Sequence, residues 1–204
     1  DIFANSLQAS VFAAIATTLA AIPVAVLVVR YRGFMPVLVE RVTYLGFALP
    51  GIAVALAFVF FGTNLATPLY QTRVLLVLTY MVLFLPAAAG AIRASLMQVS
   101  PRLEEAARGL GKRNWQVAYR ITLPLILPGI LAGAATVFLL TMKELPATLI
   151  LGPIGFKTLS TAIWSYTTEA FFAKAAVPAL ILVLASGIPT AFLLLRGERH
   201  RSIH

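Results

Sequence analysis

Residues 100–124 read SPRLEEAARGLGKRNWQVAYRITLP. Ser100-Pro101 is a helix start, because Ser caps and Pro fits the first helical position. Glu104 and Glu105 follow in the first turns, where the helix dipole favours anions. Leu103, Ala106, Ala107 and Leu110 recur at helical spacing and form an apolar stripe, with Arg102, Glu104, Glu105 and Arg108 on the other faces. Gly109 and Gly111 suit a C-cap and a turn. Trp115, Ala118, Tyr119 and Thr122 repeat the spacing on a second short helix, and Leu123-Pro124 opens the next apolar run. The stretch is thus a helix, a glycine turn and a helix. Its stripe needs cover: the membrane surface, its own neighbours or a partner's groove.

Outward from this segment the chain is apolar. Of 204 residues 60% are hydrophobic and 11% charged, with a mean hydropathy of +0.94. Soluble domains carry about 25% charged residues, so the composition excludes a disordered chain and an ordinary cytosolic enzyme. Five runs are long enough to cross a hydrocarbon core of about 30 Å: residues 6–29, 42–62, 74–92, 123–142 and 175–195. Strands of a barrel would alternate over about 10 residues, and no such pattern exists. The fold class expected is therefore an all-α polytopic membrane protein with five spans. A loop over about residues 98–122 separates the third span from the fourth. Pro23, Pro50, Pro86, Pro128 and Pro189 lie in or beside the runs as kink sites, and Gly129 and Gly133 allow close helix packing.

Charge sets the orientation. The net charge of +9 reflects a cytoplasmic excess of Lys and Arg rather than nucleic-acid binding. With five spans, Arg30, Arg32 and Arg41, the six basic residues from Arg93 to Arg120, and Arg196, Arg199 and Arg201 fall on one side. Arg73, Lys143, Lys157 and Lys174 fall on the other. This bias puts the N-terminus outside and the C-terminus in the cytoplasm. The run beginning near Asp1 lacks the layout of a signal peptide, and the chain is read as one transmembrane domain over 1–204, a fragment or one half of a longer chain.

Chemistry by this chain alone is not expected. It has no cysteine, a single aspartate (Asp1), and only His200 and His204 as histidines. Paired aspartates, a zinc motif or a histidine-based triad cannot be assembled, which argues against an intramembrane enzyme. No catalytic or metal-ligating residues are assigned. A phosphate-binding G-x-x-x-x-G-K-[ST] loop is also missing.

Glu105-Ala106-Ala107, three residues, Gly111, nine residues, then Ile121-Thr122-Leu123-Pro124 resembles the EAA motif. That motif marks the membrane subunits of binding-protein-dependent ABC importers. The resemblance implies the five-helix core of the type I importer permeases in a bacterial inner membrane. It makes the loop a coupling helix seated on a cytoplasmic ATPase dimer, which binds ATP and Mg; this chain itself holds no cofactor. Glu105, Ala106, Ala107, Gly111, Ile121, Leu123 and Pro124 are then the coupling residues. A second permease unit and a periplasmic or extracellular substrate-binding protein complete the expected partners, with the lipid membrane and no nucleic acid.

After the fourth span, Lys143-Glu144-Leu145-Pro146-Ala147-Thr148 and then Gly155-Phe156-Lys157-Thr158-Leu159 resemble the ferric-iron branch of these permeases. Many members of that branch are two fused units. Thiamine, sulfate, molybdate and polyamine branches share much of the framework, so they stand as alternative substrates. A passive channel or a membrane assembly factor is the alternative from a different class. Residues 145–151 are too short to span and too apolar for a free loop; they dip back into the bilayer or continue the fourth helix past Pro146. Lys143, Glu144, Pro146 and Thr148 become candidates for the translocation path, with interfacial snorkelling as the competing role for Lys143 and Glu144. The absence of a chelating cluster leaves iron to be held mainly by the external protein. Trp164, Tyr166, Phe171 and Phe172 suit an interfacial belt, or a docking surface for that protein.

Overall fold

With no water in a bilayer core to satisfy backbone groups, the apolar runs must close their hydrogen bonds within helices. The computed structural model describes residues 1–201, with side chains described through residue 187. The helices are α1 (Ile2–Arg30), α2 (Phe34–Ala48), α3 (Gly51–Asn64), α4 (Arg73–Met97), α5 (Pro101–Gly109), α6 (Asn114–Val117), α7 (Leu123–Met142), α8 (Pro146–Leu151), α9 (Leu159–Thr168) and α10 (Phe172–Arg201). A π-helical turn, Ala118–Thr122, joins α6 to α7 without a break. The core is the mutual packing of α1, α4 and α7, with α2 on α4, α3 on α8, and α10 on α9 and α7.

Small residues make that core close. Ala13, Ala21 and Ala25 of α1 are buried against the inner helices, where Leu75, Tyr80, Ile92 and Leu96 of α4 are also fully enclosed. A Cβ on Gly129 would lie 2.3 Å from Ser95 Cβ and 2.9 Å from the Ala91 carbonyl oxygen, so α4 and α7 touch at backbone distance. Gly129→Ala is accordingly expected to lower the unfolding temperature in detergent, by an overpacking cost of about 1–3 kcal/mol. Gly109→Ala, whose Cβ meets nothing within 4 Å, serves as the neutral control for stability. Equal unfolding temperatures in the two variants would contradict the close α4–α7 contact.

Among the described residues, three helices are long and apolar enough to cross a membrane: Ile2–Arg30, Arg73–Met97 and the continuous Asn114–Met142. The expected second span, residues 42–62, is not one helix. It is the pair α2 and α3, bent by 108°. The cause is local: Leu49 precedes Pro50 and is forced extended, at φ −94° and ψ 135°. Pro50 then caps α3 with its carbonyl, accepting from Val54 N–H at 3.2 Å. Helix α2 also begins earlier than expected and carries Glu40, which pairs with Arg93 of α4. By contrast Pro23, Pro86 and Pro128 lie inside continuous helices. The expected fifth span lies in α10, of which the apolar part with described side chains is Phe172–Gly187. Pro189 and the basic residues of the tail fall beyond the described side chains, and His204 lies outside the described residues.

Candidate functional site

The loop between α4 and α7 is built by local rules. Ser100 caps α5 with its hydroxyl, accepting from Arg102 N–H, and Pro101 occupies the first helical position. Gly111 turns the chain at φ +80°, a left-handed value that favours glycine. Arg113 N–H donates to Gln116 Oε1 at 3.0 Å and starts α6. The expected second short helix is in fact the N-terminal part of one rod running from Asn114 to Met142.

Most of the apolar stripe of α5 is left uncovered by the chain's own helices. Leu103 is 52% exposed and Leu110 is 83% exposed, whereas the carboxylate residue Glu104 is buried at 8%. Only Glu104 and Ala107 of α5 are buried. The inward turn of Glu104 follows from its partners. Its Oε1 accepts from Arg30 Nε at 3.2 Å, Arg30 Nη2 at 2.9 Å and Thr122 Oγ1 at 3.0 Å. Arg108 Nη2 lies 3.5 Å from its Oε2. A buried charge is tolerable only when paired and hydrogen-bonded, and here it is both. Arg30 Nη2 also donates to the Val99 carbonyl at 3.0 Å, tying in the end of α4.

The residues singled out from the motif divide between the outer face and the interior. Glu105, Ala106 and Gly111 are exposed, Ala107 is buried beneath them, Ile121 and Leu123 are half-buried, and Pro124 is exposed. Trp115 and Tyr119 are exposed at 61% and 68%. Beside them opens a cleft of about 880 Å³ bordered by Arg30, Glu105, Arg108, Trp115 and Tyr119. The surface offered to a partner thus combines Glu105, small Ala106, the Gly111 turn and two aromatic rings. Glu104 was not picked out from the sequence as a site residue. The only available signal was a second glutamate beside the first, with no indication of its partner 74 residues away.

At the far end of α1, roughly 40 Å away by helix rise, lie the candidates for the path. Of the two expected courses for residues 145–151, a dip back into the bilayer or continuation of the fourth helix, the second is not seen, since α7 ends at Met142. Leu145 is the N-cap, and Pro146–Leu151 form the separate six-residue helix α8 against α3, with Ala147, Thr148 and Leu151 buried. Lys143 ends α7 and is exposed, while Pro146 is the first residue of α8. Glu144 is half-buried, and its Oε1 accepts from Ala147 N–H at 3.1 Å. The same oxygen lies 3.6 Å from where a Cβ on Gly51 would stand, at the bend between α2 and α3. Thr148 Oγ1 donates to the Glu144 carbonyl at 2.9 Å, which leaves Tyr80 as the donor in the 2.6 Å bond between Tyr80 and Thr148 hydroxyls. Burial pushes the Glu144 carboxyl above its ordinary range, and the bond from Ala147 partly offsets this.

The stretch after α8 fastens the same end. Phe156 stacks under Arg73, 5.2 Å from ring centre to guanidinium, and Arg73 donates to Gln8 Oε1. Thr158 caps α9, Leu159 N–H donates to Ser6 Oγ at 2.7 Å, and Asn5 donates to the Lys157 carbonyl. Arg73 and Lys157 therefore gather at the N-terminal end of α1, opposite Arg30 and α5. Trp164, Phe171 and Phe172 are exposed and Tyr166 is half-buried, with Lys174 over the Phe171 ring.

Comparison with known proteins converges on one family. The "Fe(3+)-transport system permease protein FbpB 2" of Haemophilus influenzae is 43% identical over 191 residues, which cover 94% of this chain and 38% of that protein. This chain thus spans well under half the length of that relative. The "Molybdenum transport system permease protein ModB" of the same organism is 32% identical, over 71% of this chain and 70% of its own. Among solved structures, an inward-facing MetNI methionine ABC transporter chain superposes with a TM-score of 0.74 at 17% identity, covering 98% of this chain and 93% of that one. Residues 17–195 match the family described as binding-protein-dependent transport system inner membrane component, and the chain belongs to that family.

Proposed function

We propose that this chain passes ferric iron, delivered by an external binding protein, through the bacterial inner membrane by alternating access, coupled to a separate ATPase. The observation that carries the substrate is the 43% identity with an Fe(3+) permease across 94% of the chain. A carboxylate at Glu144, beside the bend at Gly51, is compatible with a cation on the path. In this reading the cytoplasmic ATPase dimer, which holds ATP and Mg, docks on the exposed face of α5 and its turn. Glu105 supplies a charge, Ala106 allows close approach, Ala107 beneath it seats α5 on the chain's own helices, and Gly111 sets the turn. Ile121, Leu123 and Pro124 connect this face to α7. The N-terminal end of α1 faces outside and the α5 end faces the cytoplasm, in line with the excess of Lys and Arg there. Lys143, Glu144, Pro146 and Thr148 lie by the outer part of the path. A second permease unit, fused or separate, completes the pore.

The test is ATP hydrolysis by the complete transporter in lipid discs, with candidate binding proteins added loaded or empty. Stimulation by the iron-loaded protein alone is the expected result. Stimulation by a molybdate-loaded protein instead would keep the importer and replace the substrate. Failure of any ATPase to associate would turn the reading to a passive channel or assembly factor.

A further inference from the structure

Among the described residues, the Glu104 carboxylate joins α5 directly to two other parts of the chain, Arg30 and Thr122, and through Arg30 to a third, the Val99 carbonyl. Arg30 is the last residue of α1, Val99 closes the α4 end, and Thr122 sits in the π turn that leads into α7. Otherwise α5 buries only Ala107, and its larger apolar side chains point away. The attachment of α5 to the membrane helices is therefore chiefly ionic. Such bonds, unlike an apolar contact, hold direction and reach as well as proximity. Thr122 reaches Glu104 from a π turn, the kind of irregular helical turn often found at functional sites. Arg30 also lies at the C-terminal end of α1, where the helix dipole favours a cation.

We propose that Glu104, rather than the neighbouring Glu105, is the positioning residue that carries displacement of α5 into α1 and α7. Glu105 faces the partner, and Glu104 faces the spans. A pull on α5 moves Arg30 and Thr122 together through one shared oxygen, so the ends of the two core helices shift as a unit. This joint rests on the reading of α5 as the docking element for the ATPase.

The experiment uses the complete transporter in proteoliposomes with its ATPase and an iron-loaded binding protein, and reads iron imported per ATP hydrolysed. Glu104→Gln preserves side-chain size and one carbonyl acceptor but removes the charge shared with Arg30 and Arg108. It is expected to retain the ATPase subunit and hydrolyse ATP, with the imported-to-hydrolysed ratio reduced by roughly tenfold. Arg30→Gln should give the same fall, and the double variant no further fall, because both break one joint. A merely structural role would lower complex yield and hydrolysis and leave the ratio unchanged. Thr122→Val, which keeps the ion pair, should reduce the ratio less, and it serves if Glu104→Gln does not assemble. An unchanged ratio in the assembled variants overturns the joint alone. Absence of stimulated hydrolysis in the wild-type transporter overturns the coupling reading, and the joint with it.

Discussion

Replacing Gly111 by proline is expected to abolish the stimulation of ATP hydrolysis by a loaded binding protein while the membrane helices remain folded. The residue sits at φ +80°, and a proline ring holds φ near −65°, so the turn between α5 and α6 cannot form as it stands. Proline also removes the Gly111 N–H that donates to the Arg108 carbonyl at 2.9 Å. Space is not the issue, because a Cβ there meets nothing within 4 Å. A graded series isolates the backbone effect. Asn tolerates left-handed backbone and should behave nearly as wild type. Ala should lose part of the coupling, at a strain of about 1–2 kcal/mol, and Pro should lose all of it. The readouts are stimulated ATPase activity and thermal unfolding of the purified complex. Stimulation in Gly111→Pro equal to wild type would remove the turn from the coupling reading.

That turn was legible in the sequence because its causes are local. A cap at Ser100, a proline at the first helical position and glycine at a left-handed site depend only on near neighbours. The first, third and fourth apolar runs were legible for a similar reason, since length and apolarity suffice. What failed had causes at a distance or in a single bond. The run over 42–62 has the composition of a span, but the Leu49-Pro50 peptide breaks it into α2 and α3. The apolar periodicity of α5 marked Leu103 and Leu110 as a stripe in need of cover, but it held no sign of the contact on the other face, the ion pair of Glu104 with Arg30 at the end of α1. No windowed pattern contains a partner 74 residues away. Likewise the run Gly155–Leu159, which carried the resemblance to iron permeases, fastens α1 and α4 in the structure through Phe156 and Leu159. Part of what carried that resemblance therefore serves folding at the N-terminal end of α1.

At the N-terminal end of α1, Glu144→Gln separates the structural role of one carboxylate from the path role proposed for it. Oε1 satisfies the Ala147 N–H at the start of α8, and Gln keeps an oxygen for that bond while losing the charge. Among the described residues no Lys or Arg is paired with Glu144, so the negative charge is left for something else. If that something is the iron in passage, Glu144→Gln should reduce iron import by roughly tenfold or more, because a carboxylate–cation contact in a partly buried site is worth several kcal/mol. Stability should move the other way. Burial raises the native carboxyl above its unfolded value, so the native state binds the proton more readily. The stability this group contributes is full below the unfolded carboxyl range and is lost as pH rises through the raised native value. Gln is neutral throughout, so the variant should unfold at or above the wild-type temperature at neutral pH and lose part of the wild-type slope with pH. Glu144→Ala should instead be less stable than Gln by about 1 kcal/mol, through the orphaned Ala147 N–H. Import that survives in Gln and fails in Ala would make Glu144 a helix-start residue only; import lost in both, with Gln stable, places the charge on the path.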